Sequence, residues 1–268
     1  MAYPVNGIQM NYWYKYVGSY EGYKLVIDDS NIKGGIDYNI DINPEEDYMV
    51  GSVAAGEVAF KYNNKDNDIQ KYIDANECIY YTWHADDKDW RKVGKFYLED
   101  MTEIRTEVNL KAYDATIKSE KYVDDFINQT SFPISLNNFF INLCEFLGVV
   151  GVVKDNIANK TTMIKDNFEA VNITGRQVLQ YIAEMAGGFV KADKDGKLVL
   201  QGYSAKNINL DKSKYKKYMK HNYTVAGIEG LNVRVTQDDM GVSAGADSGN
   251  LYIIENNPLF YTESTGEI

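Results

Sequence analysis

The chain of 268 residues is 44% hydrophobic and 25% charged, which is the balance of a globular protein with a substantial core. Acidic residues outnumber basic residues by 39 to 28, and the formal net charge of −11 argues against specific nucleic-acid binding, because binding to a duplex needs clustered lysine and arginine. The N-terminal residues lack the pattern of a signal peptide and the longest apolar run is too short to span a membrane, so the sequence predicts no membrane segment.

The first hundred or so residues carry the period-two alternation of β-strands. In GIDYNIDIN, residues 35–43, isoleucine and tyrosine alternate with aspartate and asparagine, and EIRTEVNLKAY, residues 103–113, alternates in the same way. Three more strand-like stretches lie between them, separated by polar turns: GEVAFKY, ECIYYTWHA and WRKVGKFYLED. Short strands at this spacing predict an antiparallel β-domain, a sandwich or a barrel-like sheet, over residues 1–115.

The period changes to that of amphipathic helices after about residue 115. SLNNFFINLCEFLG, residues 135–148, has one apolar stripe, with Ser135 as the N-cap and Gly148 as the stop. NITGRQVLQYIAEMAGG, residues 172–188, predicts a second helix, in which Thr174 and Gln177 form a capping box.

Each predicted helix is followed by an apolar, strand-like run, VVGVV or FVKA, and a shift of 39 residues aligns the two copies. An internal repeat and a chance likeness between two capped helices both explain this match. KADKDGKLVL then predicts a β-hairpin that turns at Asp195-Gly196. These elements predict a small two-helix α/β middle domain over residues 116–200.

The last part of the chain returns to strands. Leu231, Val233 and Val235 alternate with polar residues, and NLYIIENN predicts a further strand, with a long polar loop, DDMGVSAGADSG, between them. We expect a second β segment over residues 201–268. The predicted class is therefore α+β.

The only two cysteines, Cys78 and Cys144, are too few for a disulfide framework. We expect two isolated buried thiols, as in a protein made in a reducing cytoplasm.

Two motifs suggest catalytic or metal chemistry at first sight. GVSAG, residues 241–245, matches the serine-hydrolase pattern, but no strand-to-helix turn is predicted there and no histidine follows Ser243. His84, Asp86, Asp87 and Asp89 form a conceivable metal or acid/base cluster, although a charged hairpin tip is expected at the same place.

Two further motifs are equally weak. DKDG, residues 193–196, resembles the start of an EF-hand loop, but its glycine comes two positions early and Ser204 stands where the bidentate glutamate belongs. PEED, residues 44–47, is half of a conceivable glycosidase pair or a solvated loop. With only His84 and His221 in the chain, we predict no enzyme, no catalytic residue, no metal and no cofactor.

Four stretches, in their order along the chain, carry a resemblance to a known family. They are a Trp-x-x-Val-Gly-x-Phe run at residues 90–96, an Ala-x-Asp strand end at residues 112–114, a Thr-x-Arg-x-x-Leu-x-x-Ile-Ala helix at residues 174–183 with its hairpin, and an Asn-Pro strand end in LYIIENNPLF. In these stretches the chain resembles the baseplate hub proteins of contractile and related phage tails and of tail-like bacteriocins.

The resemblance implies a structural protein: a homotrimer whose tube-like β-domains form a pseudo-sixfold ring around a central channel. Such a ring adapts a hexameric tail tube to a trimeric spike. The resemblance makes residues 1–115 a barrel-like (tube-type) domain and residues 201–268 an incomplete tube-like domain. The implied partners are the tail tube or distal tube protein, the spike protein, other baseplate proteins and, in the lumen, the tape-measure protein. The implied location is the tail baseplate of a virion or a phage-tail-like particle, assembled in the bacterial cytoplasm.

Members of that family continue after the Asn-Pro strand end with another helix and more sheet, whereas this sequence stops at Ile268. A second tube domain completed by another polypeptide, a fragment and a reduced family member each explain the difference. We also expect part of the acidic excess to line the lumen, through strand faces such as Asp37, Asn39 and Asp41, where it keeps DNA or the tape-measure protein from adhering.

A second hypothesis is a carbohydrate-binding or carbohydrate-cleaving β-module on a tail or a cell surface. The 22 tyrosines and the many carboxylates favour it, whereas no particular acid pair stands out. A trimer supports the hub, and a monomer that binds cell-wall glycan supports the module.

Overall fold

The computed structural model of the chain describes residues 14–20, 23–28, 31–41, 50–66, 77–84, 89–104, 106–165, 168, 170–203, 229–234, 242–245 and 251–260. Within them the fold is α+β, mostly sheet with few helices, which confirms the predicted class. The strands of the first half are β1 Tyr14–Tyr20, β2 Tyr23–Asp28, β3 Ile32–Asp41, β4 Ser52–Asn63, β5 Glu77–His84, β6 Asp89–Ile104 and β7 Glu107–Tyr113. The later strands are β8 Ile134–Ser135, β9 Gly151–Val153, β10 Met163–Ile164, β11 Gly188–Ala192, β12 Leu198–Gly202, β13 Gly230–Arg234, β14 Val242–Gly245 and β15 Leu251–Glu255. The helices are the 3₁₀ helix Ala115–Glu120, α1 Asp124–Gln129, α2 Leu136–Phe146, α3 Gly175–Ala186 and the 3₁₀ turn Pro258–Phe260.

One large sheet runs from the first half of the chain into the helical part. Its strand order is β2-β1-β5-β6-β7-β4-β11-β12-β9, and β3 also pairs with β4. The pairs within the first half are antiparallel, whereas β4 pairs with β11 and β12 pairs with β9 in parallel. Among the described strands no pairing joins β2 to β3, so the sheet is open where the sequence predicts a barrel-like domain.

Strand β4 carries the sheet from the first half of the chain into the helical part. Its later residues pair with β3 and β7, and its first three residues, Ser52 to Ala54, pair with Phe189 to Lys191 of β11. The helical unit is therefore joined to the first β unit through a shared sheet. The predicted domain boundaries at residues 115 and 200 stay a prediction.

The sheet buries its apolar face as the alternation predicts. Along β4 buried residues alternate with partly exposed ones, and the buried set forms one cluster with residues of β2, β3, β5, β6 and β7. The members of this cluster are Ile27, Ile32, Val58, Phe60, Tyr62, Tyr80, Phe96, Val108, Leu110 and Ala112. Gly94 is needed at its position because a Cβ there would lie 2.8 Å from the ring of Phe96.

The second core lies between α1, α2, α3 and the strands β11 and β12. The predicted apolar stripes of both long helices are buried in it, including Phe140 and Leu143 on α2 and Leu179 and Ile182 on α3. Cys144 is buried here as a free thiol, and burial raises its pKa to about 12, which makes it unreactive. The side chain of Cys78 lies outside the described residues.

The predicted caps of the two helices are confirmed. The Ser135 hydroxyl accepts a hydrogen bond from the Asn138 amide, and Thr174 forms a complete capping box with Gln177. Gly148 has φ 73° after α2, and Gly187 has φ 63° after α3, where the chain turns into β9 and β11 respectively.

A separate three-stranded sheet, in the order β14-β13-β15, lies in the last part of the chain. It confirms the strands predicted around Leu231 and Ile253. The predicted polar loop is wrong at Val242–Gly245, because this stretch pairs antiparallel with β13 as β14. Val235 lies outside the described residues.

Candidate functional site

The structure brings together few of the residues with possible chemistry. Ser243 lies inside β14, opposite Asn232, instead of at the strand-to-helix turn that a serine nucleophile needs. His84 ends β5 and Asp89 begins β6, while the side chain of His84 and residues 85–88 lie outside the described part, as do residues 44–47, Ser204 and His221. Among the residues that the structure describes, no group of three or more His, Cys, Asp or Glu is placed to hold a metal ion.

The DKDG stretch forms the predicted hairpin turn between β11 and β12. The Asp193 carboxylate accepts hydrogen bonds from the amides of Asp195, at 2.8 Å, and Lys197, at 2.9 Å. Asp195 forms an ion pair of 2.8 Å with Lys92 of β6, and this hydrogen bond and charge lower the pKa of Asp195. Gly196 has the positive φ of 78° that such a turn requires. These carboxylates serve the turn and its contact with β6.

The most developed polar site lies where the large sheet, the helices and the last strand meet. We call it the junction, and its polar side chains are those of Asp114, Arg176, Glu184, Tyr252 and Asn257. Asp114 directly follows β7, is 5% exposed, and accepts from the Gly56 amide at 2.7 Å through Oδ2. Its Oδ1 accepts from the Thr116 amide at 2.9 Å and the Thr116 hydroxyl at 2.6 Å. The aspartate of the Ala-x-Asp stretch thus joins β4 to the 3₁₀ helix. Burial raises its pKa, against the effect of these hydrogen bonds and of Arg176.

Arg176, the arginine of the Thr-x-Arg stretch, joins α3 to the same region. Its Nη1 donates to the carbonyl of Val53 on β4 at 3.0 Å, and its Nε donates to the carboxylate of Glu120. The planar guanidinium makes both bonds at once, which a lysine ammonium at this position would not reproduce.

Replacing Arg176 with lysine should lower the free energy of unfolding by about 1 kcal/mol, mostly through the lost bond to Val53. Urea denaturation followed by circular dichroism measures this loss. Lys160→Ala, which breaks the exposed ion pair with Asp155, is the control and should cost less than about 0.5 kcal/mol. Equal losses in the two variants would contradict a joining role for Arg176.

The Asn-Pro strand end, residues 257–260, docks onto α3. Asn257 is 1% exposed, and its Nδ2 donates to the carbonyl of Tyr181 at 2.9 Å and to the carboxylate of Glu184 at 2.8 Å. Its Oδ1 accepts from the amide of Leu259 at 2.9 Å, and Leu259 is buried in the helical core. We call residues 257–260 the C-terminal hook. It joins the three-stranded sheet to α3.

Glu184 also contacts the residues before β4. Gly51 has φ 91°, and a Cβ on it would lie 2.1 Å from Cγ of Glu184, so a side chain at residue 51 would have to displace Glu184. The Tyr252 hydroxyl accepts from the amide of Val50 at 2.9 Å and donates to its carbonyl at 3.1 Å. Burial raises the pKa of Glu184, against the hydrogen bonds from Asn257 and Gln180.

The sequence indicated these regions only through the resemblance of their stretches to a known family. It did not indicate the structural role of any junction residue. Glu184 and Tyr252 were missed altogether. Gly51 carried a usable signal, since an isolated glycine just before a strand often marks a special φ or a close approach.

The polar face of the large sheet is a second candidate functional surface. A depression of about 400 Å³ lies on it, beside Ala59 and Asn109. Ion pairs join Lys33 to Glu107 and Lys111 to Glu57 across the strands. Lys33, Lys61, Lys111 and Asp37 line the depression, and Glu57 and Glu107 lie beside it in the ion pairs. At the depression, three lysines therefore stand beside three carboxylates.

Several apolar side chains are exposed on the surface. Tyr38 and Ile40 on β3 are 44% and 37% exposed, although they continue the buried face of the sheet, and Tyr122 and Val171 are 62% and 70% exposed. No helix within the described residues has the length and apolar character needed to cross a membrane.

Comparisons with known proteins identify the fold. No protein-family model matches the chain, and no curated protein matches it. The 43 kDa tail protein of prophage MuSo2 from Shewanella oneidensis is similar in structure, with 14% identity, a TM-score of 0.50, and coverage of 91% of this chain and 71% of that one. The tail protein from Neisseria meningitidis MC58 has 14% identity, a TM-score of 0.53 and coverage of 92% and 74%. Prophage tail protein gp18 from Listeria monocytogenes EGD-e has 11% identity, a TM-score of 0.52 and coverage of 90% and 71%. The chain thus shares its fold with these three tail proteins, two of which are prophage proteins.

Proposed function

We propose that this chain is a structural component of a phage tail or a phage-tail-like particle, without enzymatic activity. The observation that carries the proposal is its fold, which is similar over 90% to 92% of its length to three tail proteins, two of them from prophages. The junction supports a structural role, because its polar side chains are occupied in joining strands and helices. Asp114, Arg176 and Asn257 each bond to backbone groups far away in the sequence.

Within the tail, the chain is proposed to be the baseplate hub: a homotrimer around a central channel that joins the hexameric tail tube to the trimeric spike. The order of the four family-like stretches supports this assignment. Three of them contain a residue of the junction, namely Asp114, Arg176 or Asn257. The fourth contains Gly94, where a side chain would clash with the ring of Phe96. An open sheet with exposed apolar residues such as Tyr38 and Ile40 also suits a protein that assembles with other chains.

The proposed neighbours are the tail tube or distal tube protein, the spike protein, other baseplate proteins and the tape-measure protein in the lumen. The proposed location is the virion tail. If the polar face around Asp37 lines the channel, three lysines and three carboxylates at the depression offset each other there. A hydrated face of this kind disfavours tight adhesion of either DNA or an acidic protein.

Light scattering coupled to size-exclusion chromatography tests the hub on the purified full chain, alone and mixed with the spike protein of the same particle. We expect a trimer alone, or a monomer that becomes a trimer with the spike, and threefold rings in electron micrographs. A folded monomer under both conditions would overturn the hub assignment, and a monomer that is retained by cell-wall glycan would support the carbohydrate-binding module instead. A cooperative thermal unfolding curve is the control that the sample is folded.

A further inference from the structure

We propose that Glu184 couples the position of the three-stranded C-terminal sheet to that of the large sheet. Glu184 lies on α3, and one of its carboxylate oxygens accepts from Asn257 of the C-terminal hook at 2.8 Å. Its other oxygen accepts from Gln180 at 3.2 Å, one helical turn earlier. Its Cγ occupies the space next to Gly51 that a side chain there would need. One side chain therefore contacts both the hook and the residues that lead into β4.

The hook fixes the end of β15. Asn256, which directly follows β15, has a positive φ of 60°. The side-chain amide of Asn257 then donates two hydrogen bonds to α3, to the Tyr181 carbonyl and the Glu184 carboxylate. The Oδ1 of Asn257 accepts from the amide of Leu259, so it also holds the backbone turn that places Leu259 in the helical core. Losing the contact with Glu184 should therefore weaken the docking of the whole hook on α3.

A second contact joins β15 directly to the residues before β4. The hydroxyl of Tyr252 on β15 bonds to both backbone groups of Val50, the residue before Gly51. The segment Val50–Gly51 is thus held by β15 through Tyr252 and by α3 through Glu184. Because packed groups of this kind shift together, a displacement of the segment before β4 should be transmitted to the C-terminal sheet. This coupling goes beyond the proposed structural role and does not depend on the oligomeric state.

Hydrogen exchange of residues 251–260, measured by mass spectrometry, tests the coupling in the full chain. Gly51→Ala should displace Glu184 and speed this exchange by about tenfold, although residue 51 is distant from these residues in sequence. Gly34→Ala is the matched control, because Gly34 also has a positive φ, 82°, but nothing lies within 4 Å of its Cβ position. It should change the exchange of residues 251–260 by less than about twofold.

A second comparison separates coupling from general destabilisation. The Glu184→Ala background removes the Cγ that lies 2.1 Å from the Gly51 Cβ position and leaves only the Cβ of residue 184, at 3.2 Å. Adding Gly51→Ala there should therefore leave the exchange of residues 251–260 within about twofold of the Glu184→Ala value. Asn257→Ala should speed the same exchange and gives the reference for a released hook. The proposal is overturned if Gly51→Ala leaves the exchange unchanged, if Gly34→Ala speeds it equally, or if Gly51→Ala acts as strongly without the Glu184 side chain.

Discussion

Replacing Ile182 with aspartate should destabilise the protein by about 5 kcal/mol or more, enough to unfold its helical unit. Ile182 is 0% exposed and lies on α3 in the same core cluster as Leu143 of α2 and Leu200 of β12. Removing a buried isoleucine side chain costs about 2–5 kcal/mol, and an unpaired carboxylate in its place adds a charge without a partner. Since whole domains are stable by about 5–15 kcal/mol, urea denaturation should show little or no folded helical unit.

The matched control is Ile141→Asp on α2, where the isoleucine is 38% exposed. The substitution is the same and the position is also helical, but water reaches the new carboxylate. We expect a loss of less than about 1 kcal/mol. Similar losses in the two variants, or stability of Ile182→Asp close to that of the wild type, would contradict a core role for the α3 stripe.

The helical unit could be predicted from the sequence because its signals are local. The stripe through Leu179 and Ile182, the Thr174 cap and the stop at Gly187 all lie within about four turns of one helix, so a single period and a single cap motif specify them. The Asp195-Gly196 turn is equally local. In each case the residues that decide the structure are neighbours in the chain.

The junction could not be predicted, because its partners are distant in the sequence. Arg176 bonds to Val53 across 123 positions, and Asn257 bonds to Glu184 across 73. An arginine or an asparagine in a sequence is normally a solvated surface residue, and nothing nearby marks these two as buried or bonded. The resemblance pointed to the stretches that contain them, but the reason became visible only in the fold.

The open sheet and strand β14 were missed for a related reason. Alternation identifies strands but not their neighbours, so the parallel pairing of β4 with β11 could not be inferred, and a barrel was the simpler expectation. Val242–Gly245 is too short and too rich in small residues to show alternation, and only its pairing with β13 makes it a strand. For the polar face of the large sheet, the sequence predicted only that Asp37 lies on it, from the alternation of polar and apolar residues along the strand.

Replacing Asp114 with alanine should lower the free energy of unfolding by about 3–5 kcal/mol. The carboxylate accepts three hydrogen bonds, from the Gly56 amide and from the amide and hydroxyl of Thr116, at a position that is 5% exposed. Without it, two buried backbone amides lose their acceptor and water cannot easily replace it. Urea denaturation should show this loss, and the pairing of β4 with β7 next to Gly56 should loosen.

The control for this loss is Asp193→Ala. Asp193 also accepts from two backbone amides, at 2.8 and 2.9 Å, but it lies in a turn that water reaches. Its loss should cost less than about 1 kcal/mol, since water replaces the carboxylate. Equal effects of Asp114→Ala and Asp193→Ala would show that burial does not set the strength of the Asp114 contacts.

Asp114→Asn adds a test by pH. Because burial raises the pKa of Asp114 above its usual value of 3.8, the folded state binds a proton at this carboxyl more readily than the unfolded state does. The stabilisation from that proton is fully present below the unfolded pKa and is lost as the pH rises through the folded pKa. Asparagine has no such proton, so the stability of the wild type relative to Asp114→Asn should increase as the pH falls from neutrality toward 3.8. A wild-type stability that falls relative to that of Asp114→Asn on acidification would mean that the hydrogen bonds from Thr116 and Gly56 outweigh burial and hold the pKa below its usual value.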